Sequence, residues 1–367
     1  MNHPVNLDPS SRQRVRELGI CPGVLTPGKL NAITDLENVR VGHFSLNEGA
    51  DIRTGVTAIL PHEGNIYQDK VPAAIIVGNG YGKLLGSTQV NELGELESPI
   101  LLTNTLDAPR AADAIIEWTL SQAGNESVKS VNAVAGETND GFLNNIRKRA
   151  LQPDHFLKAI ANSTRGPVSE GSIGAGSGTI AFGWKGGIGT SSRHLPAGLG
   201  GFKLGVLVQS NFGGILQMDG LPVGKLLDQY FLKDELASES ADGSIIIILA
   251  TDAPLSDRNL KRLGKRALSG LARTGAAMSN GSGDYVIAFS TAESVRRTAA
   301  RREKITAYPE LPNEQLSPLF QAAIEATEEA IYNSICMATS VEGYMGTIPA
   351  LPLDKVEELI ASRSGRG

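Results

Sequence analysis

Short apolar runs separated by glycine-rich turns dominate this chain. Strands are predicted at Val56–Ile59, Ala73–Val77, Ile100–Leu102, Ala133–Ala135, Gly174–Gly178, Thr179–Phe182, Lys203–Gln209, Ser244–Leu249 and Tyr285–Ser290. Several of these are continuously apolar rather than alternating, the pattern of strands covered on both faces. Helices are predicted at Gly82–Asn91, Pro109–Gln122, Leu255–Thr274 and Asn313–Met337. In the third, Leu260, Leu263, Ala267, Leu268 and Leu271 recur at helical spacing. In the fourth, Leu316, Leu319, Ala323, Ile324 and Ala330-Ile331 do the same, and Glu325, Glu328 and Glu329 read as its wet face. Helices flanking buried strands from start to end give an α/β or α+β class.

Composition sharpens this picture. The chain carries 42 glycines among 367 residues, above the usual share of about 7%. They cluster at 78–86, 170–189 and 197–214, as joints between short strands. A length of 367 residues suits two domains or one large one, and 41% hydrophobic with 20% charged residues suits a large core. The net charge of -5 gives no basic surface for phosphate backbones. The densest basic run, Arg296-Arg297 with Arg301-Arg302 and Lys304, reads as a solvated face, so nucleic acid is not an expected partner. Two cysteines, Cys21 and Cys336, are too few for a disulfide scaffold and are expected to be buried small residues. No stretch of 18 apolar residues suggests a membrane span. Met1–Ser10 is polar, so the expected compartment is the cytoplasm, or the periplasm if a leader has been removed.

The candidate chemistry centres on Gly243-Ser244, a small residue and a hydroxyl at the head of Ser-Ile-Ile-Ile-Ile-Leu249. None of the five histidines stands in a catalytic pattern, and no Gly-x-Ser-x-Gly elbow joins a strand to a helix. A serine can do without histidine if it is amino-terminal. Its own α-amine, with a pKa of roughly 7.7–8.0, then accepts the hydroxyl proton. Cleavage between Gly243 and Ser244 would create that pair. Residues 230–243, small and polar at their end, read as the loop leading to the cut.

Four further residues could serve such a nucleophile. Ser282 and Asp284 are two apart and share a side if the segment is extended. Glu137 follows an apolar strand and could pair with a substrate ammonium. Asn211 follows another and could donate to an oxyanion. On the residues alone, each reads first as a turn residue. No His/Cys/Asp/Glu spacing matches a metal site, and Gly174-Ala-Gly-Ser-Gly178 reads as strand packing rather than a nucleotide loop.

Ten runs in order carry a family resemblance. They are Gly28-Lys-Leu-Asn-Ala-Ile33, Arg53-Thr-Gly-Val-Thr-Ala-Ile-Leu60, Val77-Gly-Asn-Gly-Tyr-Gly-Lys83, Glu92-Leu-Gly-Glu-Leu-Glu97 and Gly136-Glu-Thr-Asn-Asp-Gly141. They continue with Gly174-Ala-Gly-Ser-Gly178, Lys185-Gly-Gly-Ile-Gly-Thr-Ser-Ser192, Asp242-Gly-Ser244, Ala250-Thr-Asp-Ala-Pro254 and Ser279-Asn-Gly-Ser-Gly-Asp284. Over residues 17 to about 350 the chain resembles the L-aminopeptidase/D-esterases of the DmpA type and the β-peptidyl aminopeptidases. The resemblance implies a four-layer αββα sandwich and one catalytic domain, 1–367, self-cleaved into 1–243 and 244–367. It implies Ser244 as nucleophile, Ser282 relaying or orienting the proton, Asp284 orienting Ser282, and Asn211 in the oxyanion hole. Some relatives carry Glu where this chain has Asp284. Glu137 is implied as the amine-binding acid, with Asp140 the less favoured choice; Phe142 and Phe212 are expected around the acyl group. Peptides, amides or esters with a free amino terminus are the implied substrates, with no cofactor or metal, and a homotetramer the implied assembly. The alternatives are an acyltransferase like the ornithine acetyltransferases, which use Thr where this chain has Ser244, and a degenerate homologue that never cleaves.

Overall fold

The computed structural model describes residues 12–233 and 243–364. Its strands, in chain order, are β1 (Arg40–Glu48), β2 (Ile52–Leu60), β3 (Val71–Gly80), β4 (Leu84–Leu85), β5 (Glu95–Leu96), β6 (Ile100–Asn104) and β7 (Val134–Thr138). They continue as β8 (Ile180–Ala181), β9 (Trp184–Lys185), β10 (Gly187–His194), β11 (Lys203–Asn211), β12 (Ser244–Thr251), β13 (Gly283–Ser290), β14 (Val341–Gly343) and β15 (Gly346–Ile348). The helices are α1 (Ser87–Leu93), α2 (Ala108–Leu120), α3 (Pro153–Ala161), α4 (Val223–Leu226), α5 (Asp257–Arg273), α6 (Ala299–Arg302), α7 (Ser317–Cys336) and α8 (Leu353–Ser364).

Two sheets form the middle of the molecule. One has the order β1-β2-β6-β7-β4, the other β10-β11-β12-β13-β3-β5. Helices α2 and α3 cover the first, and α5 and α7 cover the second. Between the sheets lies a core that mixes Ile59, Ile100, Leu102 and Val134 with Leu207, Ile246, Ile248 and Ile287. This is the four-layer αββα arrangement that the resemblance implies.

Strand β12 shows why the run at 244–251 folds as it does. Side chains alternate along a strand. Ile246, Ile248 and Ala250 enter the core between the sheets, while Ile245, Ile247 and Leu249 enter the core under the helices. Both faces are therefore apolar and all eight residues are buried. Each buried isoleucine contributes on the order of 2–3 kcal/mol, and β-branching suits the extended backbone. The second sheet carries the first residues of β12 and β13 side by side, with Ser244 opposite Gly283 on one flank and Asn211 on the other.

Several expectations are corrected. Glu325, Glu328 and Glu329 are not a wet face; all three are buried. Arg193, fully enclosed, bridges Glu325 at 3.0 Å and Glu329 at 2.8 Å, while Arg273 meets Glu328 at 2.9 Å. Burial works against ionisation of Glu329, but its bonds with Arg16 and the charge of Arg193 outweigh it and hold the carboxyl below its ordinary range. Cys21 is exposed, whereas Cys336 is buried as expected. The helix expected at Gly82–Asn91 begins only at Ser87, because Gly86 turns the chain at φ +81° and Leu84–Leu85 pair with β7. The strand expected at Gly174–Gly178 is instead a tight turn at Gly174–Gly176, and at 179–182 only Ile180–Ala181 are extended. Of the expected loop 230–243, residues 234–242 lie outside the described residues.

Candidate active site

Ser244 opens β12, and the residue before it must be small. A Cβ on Gly243 would stand 2.4 Å from the Phe212 Cα and 2.6 Å from the Asn211 carbonyl oxygen. Ser244 is buried, and its Oγ accepts the Gly283 N–H at 3.1 Å. Because β12 and β13 run parallel in register, residues 282–284 lie beside the serine. Ser282 donates from Oγ to Asp284 Oδ1 at 2.6 Å, across the two-residue spacing seen in the sequence. The other oxygen, Oδ2, is buried without a hydrogen-bond partner among the described residues. Burial pushes the Asp284 carboxyl up to about 6, although the Ser282 hydrogen bond opposes the shift. A register shift between β13 and β3 falls at Asp284/Tyr285, a bulge of the kind that re-aims side chains near sites.

Asn211 ends β11 opposite Ser244. Its Oδ1 accepts the Ile180 N–H at 2.9 Å, which fixes the amide so that Nδ2 is left as donor. Ile180 belongs to the β8–β9 hairpin, docked a second time by Phe182 N–H on the Phe212 carbonyl at 2.8 Å. Lys185, fully buried in the same hairpin, donates from Nζ to the Gly176 and Gly186 carbonyls at 2.7 and 2.8 Å. Burial lowers its pKa to about 7, with the charge of Asp140 opposing the shift.

Glu137, on β7 of the other sheet, is buried. Its Oε1 accepts the Lys83 N–H at 2.8 Å, and its Oε2 accepts the Thr105 hydroxyl. Gly82 gives its distance from the serine strand. A Cβ there would lie 3.0 Å from the Gly283 Cα and 3.3 Å from Glu137 Oε1. Glu137 therefore borders Gly82, which in turn borders Gly283, the residue whose amide bonds Ser244. Asp140 is held differently: its Oδ1 accepts from Asn144 Nδ2 at 2.9 Å, and burial raises its carboxyl to about 7.

The structure thus brings Ser244, Ser282, Asp284 and Asn211 to adjacent strand ends of one sheet, with Glu137 facing them from the other. Phe142 is partly exposed, but Phe212 packs edge-on against Phe182 in the core. Sequence reasoning missed Thr105, Lys83 and Tyr285. Thr105 and Lys83 act on Glu137 across 32 and 54 residues of chain, so no local pattern marks them. Among the described residues, no group of three or more His, Cys, Asp or Glu side chains could hold a metal ion. No helix among them is long and apolar enough to cross a membrane.

Comparisons with known proteins agree with this geometry. The model of Peptidase family S58 matches residues 31–348. The chain is 39% identical over 364 residues to the β-peptidyl aminopeptidase BapA of Sphingosinicella microcystinivorans, covering 92% of this chain and 89% of that protein. Among solved structures it is similar to the PH0078 protein from Pyrococcus horikoshii OT3, with a TM-score of 0.87, 42% identity, and 96% and 99% of the two chains covered. It is similar, too, to the L-aminopeptidase D-Ala-esterase/amidase from Ochrobactrum anthropi, a prototype for the serine aminopeptidases and a variant of the Ntn hydrolase fold. That TM-score is also 0.87, with 33% identity and the same coverage of 96% and 99%. A family match over most of the chain, on a fold that sets a serine at the head of a central strand, leaves one conclusion: this chain belongs to peptidase family S58 and is a hydrolase, an aminopeptidase.

Proposed function

We propose that Ser244 is the nucleophile and that the chain cuts itself before it. The observation that carries this reading is the position of Ser244 at the first residue of β12, between Asn211 and the Ser282–Asp284 pair. In the precursor, Ser244 Oγ attacks the Gly243 carbonyl carbon. The C–N bond breaks, giving an ester on Oγ and a free α-amine on Ser244. Water then hydrolyses the ester and leaves a carboxylate on Gly243. The products are chains 1–243 and 244–367.

In turnover the α-amine takes the Oγ proton as Oγ attacks the substrate's first amide or ester carbonyl. The Nδ2 of Asn211 donates to the oxyanion, an interaction that strengthens as charge develops. Ser282 orients the proton path, and Asp284 holds Ser282. Glu137 takes the substrate ammonium, since its two existing donors leave lone pairs unused. The leaving amine or alcohol departs with the proton, and water releases the acyl group. Substrates are peptides, amides or esters with a free amino terminus. The β-peptidyl and D-Ala-ester activities in the relatives' names make β- and D-aminoacyl groups the ones to compare with L-forms, in a panel of p-nitroanilides. A homotetramer is the assembly the resemblance supports, and light scattering against the chain mass of 38.7 kDa measures it.

The pH dependence of kcat/KM tests this assignment. The α-amine must be neutral to accept a proton, which gives an acidic limb near 7–8. Asp284 must be ionised to hold Ser282, and its carboxyl titrates at about 6. The limb should therefore steepen from slope one to slope two below pH 6, and Asp284→Asn should keep slope one throughout. Stability moves the opposite way. A carboxyl raised on folding binds its proton more tightly in the folded state, so its contribution is present below about pH 3.9 and lost as pH rises through about 6. In an uncut Ser244→Ala background, Asp284→Asn should raise the melting temperature at pH 8 but not at pH 4. An Asp284→Asn variant with the wild-type slope and no gain at pH 8 would remove Asp284 from the proton path.

A further inference from the structure

Tyr285 stands where the two halves of the site meet, and the mechanism above does not use it. Its side chain is buried, and its hydroxyl donates to the Gly82 carbonyl at 2.6 Å. The other side of that same peptide group supplies the Lys83 N–H that Glu137 Oε1 accepts at 2.8 Å. The ring is wedged between the two glycines of the contact: Cβ atoms on Gly82 and Gly283 would lie 3.1 and 3.2 Å from Tyr285 Cε2. Burial and then the charges of Glu137 and Asp284 raise the phenol's pKa, so the hydroxyl stays protonated and remains a donor. The ring's direction follows the regular alternation of β13, whose Tyr285, Ile287 and Phe289 all enter the core between the sheets.

We propose that Tyr285 is a positioning residue for substrate-amine recognition. Its hydroxyl fixes the Gly82–Lys83 peptide, and that peptide fixes the carboxylate of Glu137 relative to the strand that carries Ser244. The link spans 203 residues of chain in its first bond and 54 in its second. It couples the recognition side of the site, on the first sheet, to the nucleophile side, on the second. The inference rests on the assignment of Glu137 as the amine-binding acid.

Tyr285→Phe removes the hydroxyl and keeps the ring, so the packing between the glycines stays filled. The test measures kcat and KM on an aminoacyl p-nitroanilide for wild type, Tyr285→Phe, Glu137→Gln and the double variant. The self-cleavage rate of freshly synthesised chain is followed alongside. Tyr285→Phe should lower kcat/KM by roughly three- to tenfold, the scale of one neutral hydrogen bond, through KM rather than kcat. Added to Glu137→Gln, it should cost less than about twofold, because the carboxylate it orients is gone. Self-cleavage should stay within about twofold, since no substrate amine takes part. An unchanged kcat/KM in Tyr285→Phe overturns the proposal. So does an equal loss with and without Glu137, or a loss carried by kcat with slowed self-cleavage, which would place the effect on Ser244 instead. If Glu137→Gln alone leaves free-amine substrates unaffected, both the Glu137 assignment and the proposal fall. If Glu137→Gln has its effect and Tyr285→Phe has none, only the proposal does.

Discussion

Ser244→Ala should run on a denaturing gel as one band at the full 38.7 kDa and should hydrolyse no aminoacyl anilide. The same oxygen is asked to do two things, and the substitution removes it. Without Oγ no ester forms at Gly243, so the amide bond stays and the α-amine is never released. Without Oγ there is also no nucleophile for substrate. Loss of a nucleophile costs on the order of 10^4-fold or more in rate, and here the general base is lost with it. The fold should survive, because the Ser244 hydroxyl accepts a single N–H and the strand is held by the isoleucines that follow. Fully cut Ser244→Ala would mean that an outside protease makes the break, and self-processing at this bond would be wrong.

Glu137→Gln should weaken turnover of free-amine substrates while leaving self-cleavage intact. Wild type should prefer an aminoacyl anilide over its N-acetyl form by two decades or more. Removing one partner of a buried charge pair costs on the order of 3–5 kcal/mol, and each factor of ten is about 1.4 kcal/mol. The glutamine carbonyl keeps an acceptor for the Lys83 N–H, and its amide nitrogen faces the Thr105 hydroxyl, which can turn to accept; the charge is gone, so the preference should collapse. The measurement is kcat/KM for both substrate forms in wild type and variant, with the gel as control for processing. Equal hydrolysis of both forms by wild type would refute recognition of the amine. A variant that still discriminates as strongly would move the role to another acid, and Asp140 is the nearest in sequence.

What the sequence revealed depended on how local the signal was. The run 244–249 reads as a doubly covered strand because isoleucine after isoleucine leaves no polar face. Ser282 and Asp284 were legible as a pair because a spacing of two in an extended segment is itself a contact, here 2.6 Å. Strand β10 was not predicted. Its Thr190, Ser191, Ser192 and Arg193 look like a surface loop, yet all are buried, satisfied by Asn31, Glu170, Glu325 and Glu329 from elsewhere in the chain. The same pairing hid the true environment of α7, whose acids seemed to need water until their arginines came into view. Strand β1 was missed as well, since Arg40–Glu48 mixes buried and half-buried positions without a clean period. Glu137 and Asp140 could not be separated from sequence. In the structure Asp140 is bonded to Asn144, while Glu137 borders Gly82 and through it Gly283. Neither Tyr285 nor Thr105 left any mark in the sequence, because Thr105 meets Glu137 only through the register of β6 on β7, and Tyr285 meets Gly82 across 203 residues of chain.

The most direct test of the central claim is amino-terminal sequencing of the fragments in purified wild-type protein, with intact masses for both. Cleavage by Ser244 predicts two chains, the smaller one beginning Ser-Ile-Ile-Ile-Ile and the larger one ending at Gly243. A fully active protein that remains one chain, or a smaller fragment that begins at any residue other than Ser244, would contradict it.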